Sequence, residues 1–598
     1  MSKIAPKAAR AALPLLALLT SAAAVAQHRL PAESVVVTAN ASPVPFENLA
    51  KTVTVLDGED IAALPAHSIT DVLAQAASVD LESRGPFGAQ ADIKLRGSAY
   101  SQTLVLIDGV RMNDSQTGHH NADFPVPLQA IERIEVLLGP GSSIYGADAF
   151  GGIINIITKR ETAATQASVS GGMHGYVAGS FSAGFGNGRI GQSVSVAGER
   201  SGGFMEDRDF RNVTVSSRTN IGEDTSLFVS HGNKEFGAYG FYGPSPSREW
   251  TNQTMLSFER KHRTKGGAEL FLQGFYRTHG DHFLYNQDTP GVSENRHRTH
   301  ATGVLAKARL ALGEAAALTF GADFGGDWIF SNNLGDHAFA RQSGFGELQW
   351  NLGGKAAVYP GVRIDRYSNF GTAVSPSLSG SWWASPRLRL RAAVGKAFRI
   401  PTFQERYYFD PNNVGNPDVK PEKAWSAEVG ADVIPAEGWS GGVTAFTRRE
   451  RDVIDWIRVT DAEKWRTANI HRLRTDGVEL SLERAFGDEA AVGARYSYIS
   501  SDAGEVSYIS KYVLDYARHT VASTARLPLF LKLRYSQTLS YKRRSDGRSY
   551  WLWDTSLERP FHKLVVGIDF ANLLDSRYQE IQGVDMPGRW LAVRIGTR

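Results

Sequence analysis

From about residue 161 to the end, apolar and polar residues alternate strictly. In 387–395, Leu388, Leu390, Ala392 and Val394 share one face of an extended chain, and Arg387, Arg389 and Arg391 share the other. The stretch 531–541 sets Leu531, Leu533, Tyr535, Leu539 and Tyr541 against Lys532, Arg534, Ser536, Thr538 and Ser540. Val478, Leu480 and Leu482 repeat the pattern, as do Leu564, Val566, Ile568 and Phe570. Successive side chains of a strand point to opposite faces, so each segment predicts a strand with one apolar and one polar side. Carried over this length without a domain break, the pattern fits a closed transmembrane β-barrel with lipid outside and water inside. At roughly 20 residues per strand and connection, 161–598 predicts about 22 antiparallel strands. A barrel that wide needs its lumen filled.

Residues 51–160 follow a different pattern, that of a small α/β domain. A strand at 52–56 precedes a helix at 68–76, where Ser68 and Asp71 form an S-x-x-D capping box and Ile69, Val72, Leu73 and Ala76 make the apolar face. Strands follow at 92–97 and 103–112, the second folded at the turn Asp108-Gly109. The stretch 132–160 predicts a strand, a glycine-rich turn, a short helical piece and a last strand at 153–157. This domain is the expected plug of the barrel. Ahead of it, 33–39 (Glu33, Ser34, Val35, Val36, Val37, Thr38, Ala39) has strand propensity at a chain end. Such a segment pairs either with a sheet edge further on or with another protein. Pro43 and Pro45 are expected to stop it pairing onward with the plug.

Composition narrows the setting. Residues 1–26 carry Lys3, Lys7 and Arg10, a short apolar run and the small-residue site Ala24-Val25-Ala26, which together predict an export signal and a mature start near Gln27. There are no cysteines, which excludes disulfides and thiolate metal sites. The net charge of +3 lacks the basic excess of a nucleic-acid binder. No compact nucleophile–base motif points to an enzyme, and no catalytic residue is expected.

Over essentially the whole mature chain, the motifs resemble those of the TonB-dependent outer-membrane transporters. They are IKLRG at 93–97, VLIDGVRMN at 105–113, the run 130–159 through GPGSSIYGADAFGGIINIITK, 395–430, TDGVELSLE at 475–483 and 570–590. The resemblance implies residence in the bacterial outer membrane, a monomer, and a TonB box at 33–39 within a periplasmic segment at 27–50. It also implies that this box adds as a strand to TonB, which transmits proton-motive force from ExbB–ExbD. A signalling receptor would carry a further domain before the box, where only a few residues are expected. Arg96 matches a plug arginine, and Glu428 and Glu479 match barrel glutamates that latch onto it. Leu138 stands where a second arginine is common, leaving Arg133 or another lumen cation to complete the latch. The C-terminal strand ends in Arg598 where an aromatic residue is usual.

The resemblance is strongest to the cobalamin-transporter branch, with ferric siderophores as the competing cargo. It implies a cargo site between the outer loops and two plug apices, 83–90 and 113–124. Arg84, Phe87, Tyr100, Gln116, His119, His120 and Asn121 are the candidate cargo-binding residues. No cofactor is required, although a cobalamin carrier can use calcium to order acidic loops, and Glu206, Asp207 and Asp209 are candidates. His119-His120 also raises a metal or haem reading. A haem receptor of this family would carry a histidine between FRIP (398–401) and NPDV (416–419), and none is there.

Overall fold

The computed structural model describes residues 36–597 except 38–39, 43, 77, 162–163, 292 and 488. The expected export signal at 1–26 lies outside them, as do Glu33, Ser34, Val35, Thr38 and Ala39 of the expected box.

Twenty-two antiparallel strands close into one barrel around an N-terminal plug. Closure is made by Gln166–Gly172 pairing with Trp590–Thr597, Val169 opposite Ile595. Two-residue pieces, Asn413–Val414 and Ile509–Ser510, extend the wall at one rim. The alternating pattern does what the sequence demands of it. In Leu388–Arg399, Leu390 and Val394 are 38% and 39% exposed on the outside, whereas Arg389 and Arg391 are buried inside. Leucine and valine cost nothing against lipid, while arginine needs the polar lumen. The pattern misleads at 531–533. Residues Phe530–Lys532 form a turn with Leu531 and Lys532 at positive φ, and the strand starts only at Arg534.

The plug has a five-stranded sheet in the order Val53–Asp57, Ile131–Leu138, Gly152–Thr158, Thr103–Ile107, Val110–Arg111. Gly152–Thr158 runs parallel to Thr103–Ile107 and the other pairs are antiparallel. The helix Ile69–Leu73 starts at the capping box read from the sequence: the Asp71 amide donates to Ser68 Oγ at 3.2 Å and the Ser68 amide to Asp71 Oδ2 at 3.0 Å. Asp108 and Gly109 turn the hairpin at φ 50° and 81°, the left-handed pair a two-residue turn requires. A separate hairpin, Val79–Ser83 with Ala91–Leu95, carries one apex toward the rim opposite the barrel's closing ends.

The described part of the N-terminal segment folds back on itself, without pairing to the plug strands. Val36–Val37 pairs antiparallel with Val44–Pro45, Val36 opposite Pro45 and Val37 opposite Val44. Pro45 lacks an N–H, but its carbonyl and both backbone groups of Val44 remain available, and proline is tolerated at the end of an edge ladder. Further along the same segment, Glu347 Oε1 on the barrel wall accepts from Asn40 Nδ2 at 3.2 Å and from the Ala41 amide at 2.9 Å.

Candidate functional site

Above the plug, at the rim opposite the barrel's closing ends, lies a cavity of about 1460 Å³. Its floor is the plug, through Arg84, Gln116, Thr117, His119 and His120. Its walls combine inter-strand loops, through Tyr239, Tyr242, Tyr408 and Tyr512, with strand ends that carry Phe283, Trp456 and Trp465. Acidic lining residues (Glu82, Glu249, Asp281, Glu294, Asp410, Asp461, Glu463, Asp515) outnumber basic ones (Arg84, Arg458, Lys464, Lys511).

The floor is held rigidly. Arg84 Nη1 donates to Asp92 Oδ2 at 3.0 Å, and its guanidinium lies 5.7 Å from the Tyr242 ring centre. His119 Nδ1 lies 2.7 Å from Asp92 Oδ1, and its ring stacks on Tyr100 with centroids 4.3 Å apart. His120 follows in the 3-10 turn Gly118–His120 and is pinned between Asp123 and Asp281 at 3.3 and 3.2 Å. The two adjacent histidines thus face different carboxylates, which a turn permits. Gln116 Nε2 donates to Asp281 Oδ2 at 2.6 Å, tying the plug apex to the barrel wall.

Of the seven candidate cargo residues, Arg84, Gln116, His119 and His120 line this cavity; Phe87, Tyr100 and Asn121 do not. Phe87 packs beneath it against Tyr176 and Trp590, at ring separations of 5.1 and 5.0 Å. Tyr100 supports His119 from below. Asn121 spends its side chain on the backbone, accepting from the Asp114 amide at 3.1 Å and donating to the Tyr100 carbonyl. These three plug residues are buried and do not line the cavity. The acids at 206–209 are drawn apart: Asp209 pairs with Arg248 at 2.9 Å and Asp207 accepts from Gln287. Nothing in the sequence singles out Glu249, Asp281, Trp456, Trp465 and Tyr512, which reach the cavity from two strand pairs and a loop on different parts of the wall. Tyr239, Phe241 and Tyr242 come from one aromatic-rich stretch, FGAYGFYGP at 236–244.

Below the floor, Arg96 meets both expected glutamates. Its Nε and Nη2 donate to the two oxygens of Glu479 at 2.9 and 2.5 Å, and its Nη1 donates to Glu428 at 2.5 Å. Arg133 does not complete the cluster; it donates to Glu132 and Glu135 instead. With Leu138 buried where a second plug arginine would stand, Glu428 is served from other directions. The Thr52 amide donates to its Oε1 at 3.0 Å, and Arg391 on the barrel wall lies 3.7 Å from that oxygen.

A titration follows from the floor. Burial opposes ionisation of Asp92, yet Arg84 and His119 outweigh it and hold the carboxyl well below the usual range. Burial lowers His119, against the pull of Asp92. An acid depressed by folding contributes stability that is full above its unfolded value, about 3.9, and is lost as pH falls toward its folded value. The protein in detergent should therefore lose thermal stability on acidification below about pH 4. Asp92→Asn, which leaves Arg84 buried without its anion, should be less stable near neutrality by about 3 kcal/mol and flatter below pH 4. Parallel melting curves for the two proteins between pH 4 and 3 would reject this account.

The plug and the barrel coincide with two family models. Residues 45–153 match the TonB-dependent receptor plug domain, and 180–573 match the TonB-dependent receptor-like β-barrel. The chain belongs to the TonB-dependent receptors. Receptors of this family reside in the bacterial outer membrane, and so does this chain. Among its relatives is the iron-regulated outer membrane virulence protein of Vibrio cholerae serotype O1, 25% identical over 549 residues, 84% of this chain and 83% of that protein. Another is the vitamin B12 transporter BtuB of Photobacterium profundum, 27% identical over 492 residues, 76% of each chain. The fold is also that of the siderophore receptor PirA from Acinetobacter baumannii, with TM-score 0.75 and 17% identity over 92% of this chain and 98% of that one. The family comprises receptors and transporters that interact with TonB and bind small-molecule nutrients.

Proposed function

We propose that this TonB-dependent receptor imports a cobalamin, capturing it in the outer vestibule and releasing it to the periplasm when TonB pulls on the N-terminal segment. The observation that carries the reading is the character of the vestibule, large, walled by aromatic rings and predominantly acidic. A corrin with its nucleotide loop is bulky and close to neutral, and it offers broad faces for aromatic contact and amides for hydrogen bonding. A ferric siderophore complex with net negative charge would meet more carboxylates than cations. Likeness to the vitamin B12 transporters of Photobacterium and Vibrio supports the same cargo. A ferric siderophore is the second reading, favoured by the iron-regulated relative from Vibrio cholerae.

Equilibrium binding of cyanocobalamin to outer-membrane vesicles carrying the protein, beside a panel of ferric siderophores, decides between them. Saturable, high-affinity cobalamin binding is the expected outcome. A bound siderophore with no bound cobalamin would move the protein to iron uptake. Calcium should leave the affinity unchanged, because Asp207 and Asp209 are engaged separately. Tyr242→Ala and Trp465→Ala should each weaken cobalamin binding by roughly tenfold or more, as aromatic anchors in a buried contact do. Full affinity in both variants would mean that the cargo sits elsewhere.

A further inference from the structure

The vestibule floor holds an arrangement that capture of a neutral corrin does not use. Glu249 on the strand Arg248–Arg263 and Asp281 on the strand Glu269–Leu284 are diagonal neighbours on one lumen face, since Glu249 pairs with Phe283 and Thr251 with Asp281. They are 2% and 7% exposed. Among the described residues, neither forms an ion pair with an arginine or a lysine. Glu249 receives only long contacts from Gln90 Nε2, at 3.4 and 3.5 Å. Two carboxylates buried side by side are costly unless a cation stands between them.

His120 Nε2 lies 3.2 Å from Asp281 Oδ2. One ring nitrogen of His120 and one oxygen from each of Glu249 and Asp281 lie within 4.8 Å of one another. Small side-chain rotations bring such donors to the roughly 3–3.5 Å separation found around one ion at about 2.1 Å. Two further atoms are unsatisfied there: Asp281 Oδ1 and Gln116 Oε1 are buried with no hydrogen-bond partner among the described residues. The other ring nitrogen, His120 Nδ1, lies 3.3 Å from Asp123 Oδ2, which also accepts from His279 Nε2 at 3.0 Å. A carboxylate behind the imidazole is the support that fixes a metal-ligating histidine. Asp123 itself already faces Lys234 at 3.0 Å, so the side of the ring without a lysine is the side open to an ion.

We infer that His120, Glu249 and Asp281 bind a divalent first-row transition metal, with Gln116 available as a further oxygen donor and Asp123 orienting His120. One imidazole with hard oxygen donors suits zinc or manganese better than copper(I), which prefers sulfur. The ion would bridge the plug apex to two barrel strands at the floor of the cargo space. The inference is independent of the cargo assignment.

The test uses the full-length protein in detergent, stripped with chelator and titrated with zinc chloride alone, with bound metal counted by mass spectrometry after dialysis. The expected result is one zinc per chain and a higher melting temperature on zinc addition. Glu249→Gln should weaken binding by about 100-fold and abolish the melting shift, and Asp123→Asn should weaken it by about 10–100-fold. His120→Ala should also lose the ion, with heat-modifiable gel mobility checking that the barrel is intact. If His120→Ala does not fold, Glu249→Gln decides, because it removes one of two like charges and relieves the metal-free protein. Substoichiometric zinc in the parent, or parent-like affinity in Glu249→Gln, overturns the assignment. Because no cobalamin is present, either result leaves the cargo reading standing.

Discussion

Arg96→Met weakens the seating of the plug by about 3–5 kcal/mol, the range for breaking a buried ion pair from one side. The size of the effect comes from what is left behind. Arg96 is 2% exposed and is the cation that reaches both oxygens of Glu479; among the described residues no other cation pairs with that carboxylate. Glu428 retains the Thr52 amide and Arg391, so Glu479 bears most of the loss. Methionine keeps the bulk that lies 4.4 Å from the Phe446 ring and adds no new backbone strain, since Arg96 already holds φ 50° without being glycine. Faster proteolysis of the plug in detergent and greater entry of large antibiotics into cells are the expected readouts. Arg96→Met with Glu479→Gln should recover a good part of the loss, because the stranded charge is gone. Parent-like protease resistance in the single variant would show that the cluster does not hold the plug.

The second large effect separates binding from transport. Val36→Pro removes a backbone donor from the segment proposed to pair with TonB and restricts the residue before it. Pairing through the backbone depends on those groups more than on side chains. Cargo binding to vesicles should be unchanged, while uptake by cells falls to that of a strain lacking TonB. The resting hairpin to Val44–Pro45 is only two residues long and offers little resistance to such an exchange. Undiminished uptake by Val36→Pro would remove 33–39 from the energy-coupling role.

The two halves of the site were unequally legible. Arg84, Gln116, His119 and His120 could be read as apex residues because one hairpin and one turn, each continuous in sequence, carry them. Phe87 and Asn121 lie in the same stretches and Tyr100 in the turn Tyr100–Gln102 between them, and nothing local distinguishes a side chain aimed at the vestibule from one packed beneath it. Likewise, Arg96, Glu428 and Glu479 were marked by motifs, whereas Arg391, one of a row of lumen-facing arginines, joined them only once the barrel closed.

The barrel, the plug and the change of pattern between them could be read from residue order alone. Periodicity of two, capping boxes and turn glycines act over a few residues, and lipid outside with water inside enforces the alternation at every strand. Which charges share a space emerges only in the folded barrel. Glu249 and Asp281 are 32 positions apart, and His120 comes from another domain. They meet because the strand register sets two carboxylates diagonally on one wall and the filled barrel presses the plug apex against them. That register is fixed by hydrogen bonds along whole strands, a long-range condition that no short stretch of the chain contains.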